Sequence, residues 1–176
     1  MRHHRTALPL AGYTIQQIDF DPATFQPEDL FWLPYHASLT GWGRKRQAEH
    51  LAGRIAAAYA LREVGEKRLP AIGDIERRFT PQLAAELESS IISPAEKTAL
   101  LRSGLPFPLA LTLAFSAKES GFKATPAANQ RALGFADFQI VEITASTLAL
   151  MFAEQRYLLH WIASEEQVIT LCALQQ

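Results

Sequence analysis

Polar and apolar positions divide this chain into a mixed front part and a strand-rich back part. Tyr13 to Phe20, YTIQQIDF, alternates well enough to predict a strand. In the following DPATFQPEDLFWLP, Pro27 with Glu28 and Asp29 marks a short helix start that Pro34 helps to stop. Gly41 and Gly43 mark a turn, and Arg44 to about Glu63 then reads as one long helix. Its apolar face is Ala48, Leu51, Ala52, Ile55, Ala58 and Tyr59, and Gly65 is a natural stop. KRLPAIGDIERRF reads as extended or turn backbone because of Pro70 and Gly73. TPQLAAELESSI returns to helix. Ser93, Pro94 and Glu96 then supply an N-cap, a first-turn proline and a capping-box carboxylate for a helix ending near Gly104. A further helix runs from about Pro108 to Ala124, and Pro126 ends it. Beyond Gly134, FADFQIVEIT, TLALMFAEQ, RYLLHWIAS and QVITLCAL predict four strands of an antiparallel meander. The fold class is therefore α+β, with a long helix lying on a C-terminal sheet.

Composition narrows the function classes. At 176 residues and 48% hydrophobic content, the chain can bury a core as one domain or two small lobes. A formal net charge of -1 argues against a whole-molecule nucleic-acid binder, so any basic patch is local. The single cysteine, Cys172, cannot form an internal disulfide, which fits a reducing cytoplasm. MRHHRTALPLAG lacks the long apolar core of a secretory signal, and His3-His4 reads as a solvated end. No apolar run approaches ~18 residues, so no membrane span is expected, while a peripheral contact stays open.

The stretch with the densest chemistry is FSAKESGFK, Phe115 to Lys123. At helical spacing Leu111, Phe115, Lys118 and Phe122 share one stripe, and Thr112, Ser116, Glu119 and Lys123 share the next. That arrangement suits a metal ion and a phosphate held together. On spacing alone an amphipathic helix with an ordinary Glu119–Lys123 pair is the favoured reading. Asp74 and Glu76, two apart in extended backbone, point to one side with Ile75 opposite. They fit Mg²⁺ ligation or an acidic start to the following helix. Arg44, Lys45 and Arg46, with Arg54 further along, suit a phosphate-rich ligand or a solvated basic turn. His50 is an acid–base candidate that reads better as structural, and His36 and His160 lack partner patterns. No G-x-S-x-G, P-loop or G-x-G-x-x-G motif is present.

Taken together, GRKRQAEHLAGRIAAAYALREVG, LPAIG, DIE, ISPAEK and LALTLAFSAKESGFKA resemble the 4'-phosphopantetheinyl transferases of the enterobactin synthetase component D type. FSAKESGFK fits that family's (W/F)-(S/T)-x-K-E-x-x-x-K signature, with the Asp-x-Glu pair upstream. The resemblance implies two pseudo-symmetric lobes, each a long helix on a small antiparallel sheet, here 1–73 and 74–176. It implies transfer of the phosphopantetheine arm of coenzyme A to a serine of an apo carrier protein or a peptidyl or aryl carrier domain. The setting implied is siderophore synthesis in the cytoplasm, possible peripheral membrane association included. By the same resemblance Asp74, Glu76 and Glu119 hold Mg²⁺, and Glu119 accepts the serine proton with Lys123 beside it. Lys118 and Lys123 sit near phosphates, and Arg44, Lys45, Arg46 and Arg54 meet the 3'-phosphate side of coenzyme A.

One departure stands out. In the family a block carrying a W-P stretch, a G-S-I-S-H motif and strands of the first lobe separates PAIG from the acidic pair. Here PAIG runs straight into DIE. The expected consequence is an incomplete first lobe. Asp74 then loses the central strand position it holds in the family, and its metal geometry with it. The alternative expectation is an inactive remnant that at most binds coenzyme A or a carrier protein.

Overall fold

The computed structural model describes residues 1–64, 72–125 and 133–172. The chain divides into two compact units, Met1–Arg68 and Leu69–Gln176.

In the first unit β1 (His3–Leu10) pairs antiparallel with β2 (Tyr13–Phe20) across a turn whose Ala11 and Gly12 lie at φ 52° and 78°. Two central residues at positive φ give the tight hairpin that matches strand twist. β2 was expected and β1 was not. Its first half is polar and basic and Pro9 interrupts it, so it shows no alternation; its pairing with β2 makes it a strand. Short 3-10 turns at Pro22–Thr24, Pro27–Leu30 and His36–Leu39 follow in place of a regular helix. Helix α1 (Arg44–Val64) buries Ala48 and Leu51 against Phe25, Leu30, Leu33 and Leu39. This is the apolar face anticipated from its period. The Gly65 stop, the LPA of LPAIG, and Pro126 lie outside the described residues.

The second unit carries β3 (Ile72–Arg77), α2 (Pro81–Ile91), α3 (Pro94–Arg102), α4 (Phe107–Ala124), β4 (Gln139–Ile143), β5 (Thr147–Phe152), β6 (Gln155–Ala163) and β7 (Gln167–Cys172). β4 to β7 form the expected meander. β3 joins it in the order β3-β7-β6-β5-β4, all antiparallel. Among the described residues Asp74 therefore sits on an edge strand with one neighbour, opposite Thr170 of β7. The boundary expected between residues 73 and 74 falls inside β3. The close approach of β3 to β7 requires a glycine at 73, because a Cβ there would lie 2.7 Å from the Thr170 carbonyl oxygen.

α4 is the core of this unit. Leu111, Leu113, Ala114 and Ala117 are fully buried, packed among residues of α2, α3 and the sheet. Gly121 lets it close on the ring of Phe138, 3.1 Å from where a Cβ would be. The capping box read at Ser93 and Glu96 is present, but Glu96 does more than cap. One carboxylate oxygen accepts from the Ser93 amide; the other accepts from the Ile140 amide of β4 and from Lys118 Nζ of α4 at 2.7 Å. Lys118, 0% exposed, also donates to the carbonyls of Ile91 and Phe135. The lysine's three protons are thereby used. Among the described residues no single helix is long and apolar enough to cross a membrane.

Replacing Lys118 with Met should cost about 3–5 kcal/mol, because it strands the buried Glu96 carboxylate. Adding Glu96→Gln should recover part of that loss. Urea unfolding reads both; a single-variant loss below ~1 kcal/mol would show that the pair does not hold this unit together.

Candidate functional site

The site grows from the polar stripe of α4. Thr112 accepts a hydrogen bond from the Phe79 amide, just after β3. Ser116 and Ser120, one turn apart, both meet the Thr170 hydroxyl, at 2.9 and 2.8 Å. All three α4 hydroxyls are fully buried. They fix which way the stripe faces, and its remaining members, Glu119 and Lys123, turn towards β3. Sequence reasoning placed Thr112 and Ser116 on this stripe without assigning them a task. It missed Ser120 and Thr170 entirely. The i,i+4 spacing of Ser116 and Ser120 inside an otherwise apolar helix was the available signal.

On β3, Asp74 and Glu76 share the side facing α4, and Ile75 lies on the other, 43% exposed. Lys123 Nζ donates to Asp74 Oδ1 at 2.5 Å, with the side chains 44% and 10% exposed respectively. The bridge thus runs from helix to strand. The direct contact is not the Glu119–Lys123 pair that spacing alone allows. Among the described residues, the buried Asp74 Oδ2 has no hydrogen-bond partner.

Glu76 and Glu119 lie close enough to feel this pair and each other. Burial pushes the Glu76 carboxyl above the usual range. The Arg77 amide opposes that shift, the charges of Asp74 and Glu119 add to it, and Lys123 opposes it. Burial likewise pushes Glu119 up, against Lys123 and with Asp74. Three carboxylates thus face one ammonium in a half-buried seam. Among the described residues, no three His, Cys, Asp or Glu side chains are gathered tightly enough to form a ready metal cage.

Lys118 is not part of this seam. It was expected near phosphates, but its ammonium is sealed in the core on Glu96 and two carbonyls, so it cannot reach a ligand. The reason was visible in its stripe, which it shares with Leu111, Phe115 and Phe122. Cys172 is buried too, its thiol pushed up to about 11 by desolvation, and is no nucleophile.

The basic candidates belong to the first unit. The Arg44 guanidinium donates to the Phe25 carbonyl. Arg46 lies over the Trp42 ring, 4.5 Å from its centroid, and the exposed Lys45 pairs with Glu49 at 3.7 Å. Arg54 is exposed at the surface of α1. His50 accepts or donates at the Tyr35 hydroxyl, 3.2 Å away, and packs edge-on to Tyr35 and Trp42. Burial first, and Arg54 second, hold its proton affinity below normal, as suits a structural histidine. His36 hydrogen-bonds the Leu33 carbonyl.

A sequence model of the 4'-phosphopantetheinyl transferase superfamily matches residues 73–172, the span from β3 to β7. Enterobactin synthase component D of Escherichia coli O157:H7 is 43% identical over 205 positions, covering 98% of this chain and 98% of the relative. The Shigella flexneri protein of the same name gives the same figures. That of Salmonella typhi is 40% identical over 206 positions, covering 93% of this chain and 87% of the relative. An alignment of 205 positions exceeds the 176 residues present, so it carries gaps opposite segments the relatives have and this chain lacks. With residues 73–172 matched by the family and 98% of its length by the first of these relatives, the chain belongs to the 4'-phosphopantetheinyl transferase superfamily.

Proposed function

We propose that this transferase-family chain moves the 4'-phosphopantetheine arm of coenzyme A onto a serine of an apo carrier protein, in siderophore synthesis of the enterobactin type. The carrier is an apo carrier protein or a peptidyl or aryl carrier domain of a non-ribosomal peptide synthetase. The observation that carries the proposal is the seam of Asp74, Glu76, Glu119 and Lys123, with the Asp74 Oδ2 atom left without a partner.

The donor set fits Mg²⁺. All three acids offer hard oxygen ligands, and their negative charge exceeds what Lys123 offsets. Mg²⁺ keeps several waters and commonly takes only one or two carboxylates plus substrate phosphate, so a closed three-carboxylate cage is not required. Asp74, Glu76 and Glu119 would hold it. When bound, it polarises the phosphoryl oxygens and offsets charge at the attacked phosphorus.

The chain's own residues supply the rest. The carrier serine oxygen bonds to the phosphorus bearing the pantetheine arm. The bridging phosphorus–oxygen bond breaks and adenosine 3',5'-bisphosphate leaves. Glu119 takes the serine proton, a task favoured by a proton affinity above that of an ordinary carboxylate. Lys123 is the ammonium in reach of the phosphates. In the first unit, taken by itself, Lys45, Arg46 and Arg54 are the candidate cations for a phosphate group. Arg44, whose guanidinium already serves the Phe25 carbonyl, is the least free of the four.

A second reading is an inactive remnant that at most binds coenzyme A or a carrier protein. One observation favours it: the relatives' alignment is longer than the chain. The PAIG–DIE junction, where the G-S-I-S-H block of the family has no counterpart, is where we put the lost segment.

One incubation separates the two. With apo carrier protein, coenzyme A and Mg²⁺, the carrier should gain the mass of one phosphopantetheine, and Glu119→Gln should slow the gain by ~10²–10⁴-fold. No mass gain selects the remnant, and a rate indifferent to Glu119→Gln removes Glu119 as the proton acceptor.

The acidic surplus also sets a pH dependence for the metal-free protein. Glu76 and Glu119 are held above their ordinary value of 4.5, so above that pH the native state binds more protons than the unfolded chain. Stability should therefore fall as pH rises through this window. Glu96 acts the other way. Burial pushes it up, but hydrogen bonds from Lys118, Ser93 and Ile140 outweigh this and hold it low, so its contribution is lost only as pH falls below 4.5. Urea unfolding in chelator between pH 4.5 and neutrality should show a slope that Glu76→Gln with Glu119→Gln flattens. An unchanged slope would contradict the assignment.

A further inference from the structure

We infer that Lys123 is a built-in stand-in for the divalent cation: it neutralises Asp74 in the metal-free protein and gives Asp74 up when the cation arrives. The inference rests on Asp74, Glu76 and Glu119 being metal ligands, but not on the chain catalysing transfer.

The geometry of the two oxygens of Asp74 carries the argument. Oδ1 holds Lys123 Nζ at 2.5 Å, while the buried Oδ2 holds nothing. A carboxylate that existed only to pair with lysine would satisfy both oxygens or leave the second in water. This one keeps an unfilled acceptor inside the protein, which costs free energy unless a further partner binds there. The charged groups that face it are Glu76 from its own strand and Glu119 and Lys123 from α4. Lys118 is unavailable, being fixed to Glu96 on another side of the helix. Among the described residues, Lys123 is thus the cation that answers three carboxylates.

Lys123 is also free to move. It lies in the last turn of α4 and is 44% exposed, whereas Lys118 is 0% exposed and triply bonded. A flexible four-carbon stem can swing into solvent or towards a substrate phosphate at low cost. Two lysines of one signature therefore do opposite work. The first is locked as part of the fold, and the second is released on loading. Release has a use, since an ammonium displaced from Asp74 becomes available to the phosphate that accompanies the metal.

The test is a titration of the full chain with Mn²⁺ alone, without coenzyme A or carrier, reading free Mn²⁺ by electron paramagnetic resonance. An ion pair with an exposed partner is worth up to about 1 kcal/mol, so Lys123→Gln should tighten the Mn²⁺ dissociation constant by up to about five-fold. Lys123→Arg, which keeps the charge, should stay near wild type. Asp74→Asn should abolish the gain in the Lys123→Gln background, and circular dichroism checks that each variant is folded. Tightening in Lys123→Gln that depends on Asp74 supports exchange. Equal or weaker binding in Lys123→Gln, tightening that survives Asp74→Asn, or no binding by either protein overturns it. The carrier mass measurement can fail while this one succeeds, so the two proposals fall separately.

Discussion

The rotational setting of α4 is the constraint on which the site depends. Successive helical residues are about 100° apart, so a one-residue slip would carry every functional side chain to a new neighbour. Two sets of buried polar contacts forbid that slip. On one side, Lys118 is fixed by Glu96 and the carbonyls of Ile91 and Phe135. On another, Ser116 and Ser120 are fixed by the Thr170 hydroxyl, and Thr112 by the Phe79 amide. Breaking either set would leave polar or charged atoms unpaired in the core, at a cost no rotated state recovers. Glu119 and Lys123 face β3 because the rest of the helix has no alternative.

The same helix therefore carries two kinds of electrostatics. The Glu96–Lys118 pair is closed: the carboxylate accepts from three donors and the ammonium gives all its protons. It links α3, α4 and β4 and leaves nothing for a ligand. The seam of Asp74, Glu76 and Glu119 is open, with acids in excess and an acceptor atom unfilled. Excess charge of one sign in a half-buried place lowers stability, and such places are where proteins keep function. The position of β3 fits this contrast. Among the described residues it is an edge strand held by β7, dependent on glycine at 73 for its approach, and it offers Asp74 and Glu76 to the helix.

Much of this was legible in the sequence. The long helices, the Ser93 capping box and the four-strand meander follow from period and caps, which are local properties. The D-x-E pair could be placed on one side of extended backbone, and Glu119 with Lys123 on one stripe, from geometry alone. β1 was not legible, because its polar half and Pro9 carry no alternation; it exists through its pairing with β2. That β3 joins the second unit's sheet was hidden too, since pairing across roughly ninety residues to β7 leaves no local trace. Lys118 was misplaced for a different reason. Its signature suggested ligand binding, while its apolar stripe pointed to the core, and burial with a carboxylate partner decided the matter.

The proposed ligand of this seam is a divalent cation at Asp74. Crystals of the chain grown with Mn²⁺ and coenzyme A, with anomalous scattering used to locate the metal, test it most directly. A manganese peak bonded to Asp74 between β3 and α4, with Lys123 turned away, is the expected result. A metal bound elsewhere, or a seam in which Lys123 still holds Asp74 and no metal is found, would contradict it.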